Sequence, residues 1–159
     1  MLIYCAGPFF NSIQKAWAFE IALGLEEEGF EVCAPVREMF KEGSTLDAEA
    51  IFQRNVVWMR KSDYILVQLD YPLMPEEEIL VMPEGKPINL PDSGTVWEMG
   101  FCFALGKPII GYTYGDVEKI NLMLTKSLMG IVLMESFYSV FDKGIVKLDK
   151  LQEFKGKEL

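Results

Sequence analysis

The chain reads as an α/β protein: a parallel sheet of five strands with helices packed on both faces. The first sign is a set of short, unbroken apolar runs, of strand length and without the polar alternation of a half-exposed strand. They are Met1 to Ala6, Phe30 to Ala34, Tyr64 to Leu69, the run after Pro108, and Ile131 to Leu133. The second sign is the longer segments of helical period that separate them. At 159 residues, half of them hydrophobic, the chain predicts one domain over 1–159 with a sizeable core. The expected architecture is Rossmann-like (flavodoxin-like).

Each element has its own punctuation. The first strand, Leu2-Ile3-Tyr4-Cys5-Ala6, ends at Gly7-Pro8, with Phe9 and Phe10 in the loop that follows. Asn11 or Ser12 caps a helix from Ile13 to about Glu28, stopped by Gly29, and Ile13, Ala16, Phe19 and Leu23 hold the spacing of a core face. The second strand closes at Pro35. A helix from about Asp47 to Arg60 turns Ile51, Phe52, Val56 and Met59 inward, and the third strand follows with Asp70 at its carboxyl end. Residues 71–90 exceed an ordinary connection and hold Pro72, Pro75, Pro83 and Pro87, so they read as an insertion, a flap or an oligomer contact. Asp92 or Ser93 caps the next helix, which stops at Gly106 before Pro108 and a fourth strand. A short helix around Ile120 to Leu124 precedes the fifth strand. Ile145, Leu148, Leu151 and Phe154 predict a terminal amphipathic helix.

Composition narrows the chemistry. The chain has no histidine, which removes histidine-based triads, histidine metal ligation and histidine acid–base work. Proton transfer falls to carboxylates, tyrosine, cysteine or lysine. A net charge of −9 argues against nucleic-acid binding, which needs basic surface. Cys5, Cys33 and Cys102 are widely spaced and read as buried, reduced thiols. With no basic leader and no long apolar run, the expectation is a cytoplasmic protein without a membrane span, a metal or a cofactor.

One residue does not fit its surroundings. Glu98 stands among Val96, Trp97, Met99 and Phe101, one turn into an apolar helix. A carboxylate there is neutralised, paired or used. A plain structural role also exists, complementing the positive end of the helix dipole. In open parallel sheets, ligands bind at the carboxyl ends of the strands. That rule gathers Gly7 to Phe10, Asp70 and the Asp92 loop with its Gly94 on one rim.

Four motifs in order carry a resemblance: Ile3-Tyr4-Cys5-Ala6-Gly7-Pro8-Phe9-Phe10-Asn11, Asp92-Ser93-Gly94-Thr95-Val96-Trp97-Glu98-Met99-Gly100, Gly106-Lys107-Pro108 and Ile120-Asn121-Leu122-Met123. Together the sequence resembles the nucleoside 2-deoxyribosyltransferase family. The resemblance implies cleavage of the glycosidic bond of a 2'-deoxynucleoside and passage of the sugar, held on a glutamate, to a free nucleobase. Glu98 matches the nucleophile, and Tyr4 the tyrosine that orients it. Asp92 matches an aspartate at the nucleobase and sugar rim, with helix capping as its other reading. Asn121 and Met123 match residues that reach a neighbouring subunit's site and hold the sugar hydroxyl. A homo-oligomer, a dimer or dimer-based assembly with shared active sites, follows from that match.

The chain also departs from the family pattern. Asn55 stands where relatives place an aspartate that touches the base, and an amide cannot act as the acid, which shifts that work to Asp92. No glutamine follows the second strand's proline, where Arg37, Glu38 and Met39 stand, and the chain end offers no aromatic. Two other readings remain open. One is an N-glycoside hydrolase acting on nucleosides or their 5'-monophosphates. The other is a non-catalytic nucleotide-binding module.

Overall fold

The computed structural model describes residues 1–38, 47–69, 91–113 and 120–153. Five parallel strands form the sheet: β1 (Leu2–Ala6), β2 (Glu31–Cys33), β3 (Tyr64–Gln68), β4 (Ile109–Thr113) and β5 (Gly130–Leu133). Their order is β2-β1-β3-β4-β5. Registers are continuous across the centre: Tyr4 pairs with Ile65 and Ala6 with Val67, while Leu66 pairs with Ile110 and Tyr112 with Val132. The chain moves outward from β1 to β2 and then returns past β1 to β3. The carboxyl edge between β1 and β3 is therefore the point where the winding reverses, and a crevice opens there.

Strand alternation divides the core into two layers. Ile3, Leu66, Ile110, Tyr112 and Val132 face one side and pack on Ile21 and Leu25 of α1 (Ser12–Glu27) and on Phe137 and Phe141. Tyr4, Ala6, Ile65, Val67, Ile109 and Ile131 face the other. There they meet Met59 of α3 (Ala48–Lys61) and Met99 and Cys102 of α4 (Ser93–Ala104). Between β2 and α3 lies the short α2 (Pro35–Glu38), whose Val36 joins Ala22 and Ala34 in a satellite cluster.

Helix ends follow the sequence signals. Asn11 caps α1 in a reciprocal capping box with Gln14, Asp47 caps α3 and Asp92 caps α4. Gly106 ends α4 with φ +68°, a conformation glycine takes without a Cβ clash. Beyond it, Lys107 Nζ donates to the Arg60 and Ser62 carbonyl oxygens at 2.6 and 2.8 Å, covering the C-terminal end of α3 with a cation.

Three expectations are corrected. The buried face of α1 carries Gln14, Ile21, Ala22, Gly24 and Leu25, whereas Ile13, Ala16, Phe19 and Leu23 are exposed. This helix is apolar on most sides, so two stripes satisfy the same period, and Gly24 decides between them. A Cβ at Gly24 would collide with Tyr138. On α3 only Met59 is fully buried and Val56 is partly so; Ile51 and Phe52 are exposed, with Phe52 against the Trp97 ring at 5.3 Å. The third correction is at the end of the chain, where no amphipathic helix forms over residues 145–153. After α5 (Leu122–Lys126), β5 and α6 (Phe137–Val140), a small antiparallel ladder joins β6 (Phe141–Asp142) to β7 (Ile145–Val146). Lys143 and Gly144 turn it with φ of 50° and 73°, a left-handed pair that a helix cannot continue through. Leu148–Lys150 makes a 3₁₀ turn, and Gln152 bridges Ile131 at the edge of the sheet. Phe154 lies outside the described residues.

Candidate active site

Tyr4 points from β1 to the α3–α4 side of the sheet, and its side chain is fully buried. Glu98 comes from the second turn of α4, on the flank that also buries Thr95 and Cys102. Tyr4 Oη donates a hydrogen bond to Glu98 Oε1 at 2.5 Å, joining groups 94 residues apart. Burial pushes the Glu98 carboxyl up to about 7; the Tyr4 hydrogen bond pulls it down, and the negative Asp92 adds a smaller push upward. Tyr4 itself is driven far above the ordinary phenol range by burial first and by the Glu98 charge second. The phenol therefore stays a proton donor wherever Glu98 is ionised. Cys102 closes the cluster from below, its thiol raised to about 12 by burial and by Glu98.

Asp92 stands at the N-cap of the same helix. Its Oδ1 accepts from Gly94 N at 2.9 Å, and its Oδ2 accepts from Thr95 N at 2.9 Å and from Thr95 Oγ1. The capping role is present, and the same carboxylate faces Glu98 electrostatically. Gly94, exposed in the first turn, supplies one of the capped N–H groups.

The loop after β1 stands at the same carboxyl edge of the sheet. A Cβ on Gly7 would come within 3.2 Å of Gln68 Oε1 and 3.3 Å of Gln68 Cβ, so glycine lets this loop close on β3. Phe10 is 73% exposed, stacks on Phe9 at 6.0 Å, and donates its backbone N–H to Gln14 Oε1 at 2.7 Å. Gln68 is buried and accepts from Tyr112 Oη at 3.4 Å.

The remaining candidates have other hydrogen-bond partners. Asn55 is half-buried on α3, its Oδ1 accepting from Arg54 Nη2 at 3.1 Å, while the Arg54 guanidinium lies 4.6 Å over Trp58. Asn121 caps α5 by accepting from Met123 N at 2.8 Å, and Met123 is 78% exposed. No hydrogen bond among the described residues ties Asn55, Asn121 or Met123 to Glu98. Asp70 and the 71–90 insertion lie outside the described residues.

The sequence reading missed Gln14 and Gln68, and it named Lys107 within a motif without giving it a role. Gln14 carried a usable signal, a glutamine three residues after an N-cap asparagine. Among the described residues no cluster of three Cys, Asp or Glu side chains could hold a metal ion, and no helix is long and apolar enough to cross a membrane.

Solved structures share the fold. The 2-deoxyribosyltransferase from Bacillus psychrosaccharolyticus superposes with a TM-score of 0.65 at 24% identity, covering 92% of this chain and 98% of that one. The Leishmania mexicana 2-desoxiribosyltransferase gives 0.51 at 22% identity, covering 72% and 65%. The Clostridium botulinum CMP N-glycosidase gives 0.55 at 16% identity, covering 84% and 88%. At these identities the likeness speaks for the fold alone. No curated protein sequence matches the chain. The family model described as nucleoside 2-deoxyribosyltransferase matches residues 3–134, the span that holds β1 with Tyr4 and α4 with Glu98, and by that match this chain belongs to the nucleoside 2-deoxyribosyltransferase family.

Proposed function

We propose that this protein transfers a 2-deoxyribosyl group between nucleobases of 2'-deoxynucleosides, through a covalent sugar ester on Glu98. The observation that carries the reading is the Tyr4–Glu98 pair: a half-buried carboxylate on α4, held by one phenol and raised to about 7. Near neutral pH such a group is partly ionised and poorly solvated, which suits a nucleophile. A Glu98 oxygen attacks the anomeric carbon, the C1'–N bond breaks, and its electron pair goes to the departing base, which takes up a proton. Asp92 is the group assigned to deliver that proton. In the second half, an incoming base nitrogen attacks C1', the ester bond breaks, Glu98 recovers its electron pair, and the proton shed by that nitrogen returns to Asp92. Two displacements retain configuration and give ping-pong kinetics. Tyr4 holds one Glu98 oxygen, leaving the other to attack.

Gly7, Phe10 and Gly94 shape the crevice in this reading, and Asn55 and Asp70 contact the base. The exposed Asn121 and Met123 reach the site of a second subunit, making the working unit a homo-oligomer. The acceptor is a free nucleobase; no cofactor takes part. A second reading, N-glycoside hydrolysis, is favoured by the fold shared with the CMP N-glycosidase, and differs only in that water replaces the acceptor base.

The test is base exchange. The purified protein is incubated with thymidine or deoxyinosine, with and without adenine, and products are separated by chromatography. Deoxyadenosine formed only with adenine is the expected result, and Glu98→Ala abolishes it while the protein stays folded. Free base and deoxyribose at equal rates in both tubes would establish hydrolysis instead. Substantial exchange by Glu98→Ala would remove the nucleophile assignment.

A further inference from the structure

Of the 12 residues of α4, Glu98 carries the only charge, and Thr95, Met99 and Cys102 alone are buried. The opposite flank, with Val96, Trp97, Gly100, Phe103 and Ala104, is exposed. Trp97 is 47% and Phe103 58% exposed. A helix apolar on nearly all sides normally lies inside a structure, and a continuous exposed apolar face marks a contact surface. Trp97 is already braced: its ring stacks on Phe101 at 5.4 Å and lies 5.3 Å from Phe52. A large ring fixed before contact loses little freedom on being covered. A Cβ at Gly100 would meet no atom of the described residues within 4 Å, so space stands open over the middle of the face.

What covers this face follows from its order along the helix. With about 3.6 residues per turn, Trp97 and Phe103 project to opposite sides of Gly100, three residues before it and three after. Val96 and Ala104 do the same, four residues before and four after. A two-fold axis through Gly100, with two copies of α4 antiparallel, therefore brings large rings together and small groups together. Trp97 of one copy meets Phe103 of the other, and Val96 meets Ala104, each contact being made twice. Gly100 faces its own counterpart on the axis, where the missing side chains let the two backbones approach. Charge selects the same occupant. A chain of net charge −9 attracts a foreign partner through basic groups that need acids to meet them, and this face has none. A second copy, equally acidic, docks best through an uncharged surface and brings one that matches. We infer that this protein forms a two-fold dimer through the exposed face of α4, with the helices antiparallel about Gly100. The inference rests on the proposed function for its homo-oligomer, and gives that assembly a contact surface on the helix that carries Glu98.

Sedimentation equilibrium of the full chain at micromolar concentration tests it. The wild type should be a dimer or a dimer-based assembly. Gly100→Glu sets two like charges against each other on the axis, while glutamate is the better helix former. This variant should keep the wild-type far-UV spectrum and raise the dimer dissociation constant about thirtyfold or more. A charge pair tests the register. Val96→Glu and Ala104→Lys should each weaken the dimer, and the two together should recover it, because the pairing sets positions 96 and 104 of different copies side by side. An unchanged dissociation constant in a folded Gly100→Glu protein, or no recovery in the paired variant, would overturn the inference. So would a wild type that stays monomeric, including one that instead binds vesicles of phosphatidylcholine, which would give the face to lipid. Base exchange is read separately. A monomeric wild type that exchanges bases would remove this inference alone, and a dimer through α4 without exchange would remove only the proposed reaction.

Discussion

Glu98 was legible because it broke a pattern: one acid in an apolar stretch of helix needs a partner, and the partner is Tyr4, at the end of a 2.5 Å hydrogen bond. Their coupling gives a signed expectation. Tyr4 lowers the Glu98 pKa and burial raises it to about 7, so the nucleophile is ionised above that value and lost below it. The kcat/KM profile should therefore fall on the acid side with an apparent pKa near 7. Tyr4→Phe removes the lowering hydrogen bond, so the acid limb should move to higher pH and activity at pH 7 should drop about tenfold or more. An unmoved limb in a folded Tyr4→Phe protein would show that another group sets it. Tyr4 itself gave no such sign, since a tyrosine in an apolar strand has every look of core. Only the family motif singled it out.

Secondary elements were readable where the chain marks its ends chemically. Asn11, Asp47 and Asp92 begin their helices, and Gly106 ends one. Faces were harder, because α1 carries apolar residues on both flanks and period alone could not choose between them. The bend of Asp142-Lys143-Gly144 was overlooked, so the short strand and 3₁₀ turn that follow it from Ile145 on were read as helix. Gly106-Lys107-Pro108 shows the opposite case, a motif whose structural use becomes plain in the fold. Lys107 holds the Arg60 and Ser62 carbonyl oxygens and thereby ties the end of α3 to the start of β4. Lys107→Met should keep the aliphatic stem and cost about 1–3 kcal/mol of stability by urea unfolding, with the acid limb of activity unmoved. A loss below about 0.5 kcal/mol would make this cap ornamental.

For the molecule as a whole, the five strands and their parallel pairing followed from apolar runs bounded by glycine and proline. The meeting of β1 with α4 across the winding reversal is a tertiary fact that no local pattern carried. Holding a carboxylate there should weaken the entire fold. Glu98 binds its proton more tightly in the native protein than in the unfolded chain, between its ordinary value and about 7. In that window the native state carries more protons, so stability falls as pH rises and the deficit is complete above pH 7. From 4.5 to about 7 the deficit is about 3 kcal/mol at most. Glu98→Gln, which removes the charge and keeps an acceptor for Tyr4, should melt higher than wild type at pH 8 and match it near pH 4. Equal melting at pH 8 would mean that the carboxylate is better solvated than its burial implies.

The 94-residue separation of Tyr4 and Glu98 also bears on how the protein comes into being. β1 is made first, yet it is an interior strand whose neighbour β3 must emerge and pair before α4 can dock. Pairings so distant along the chain form slowly, because loop closure precedes any gain from contact. Until then Tyr4 is an apolar strand side chain on an unfinished edge, and Glu98 is an ordinary, well-hydrated acid. Catalytic competence and completion of the sheet should thus appear in refolding as a single kinetic event, with no early intermediate able to turn over substrate.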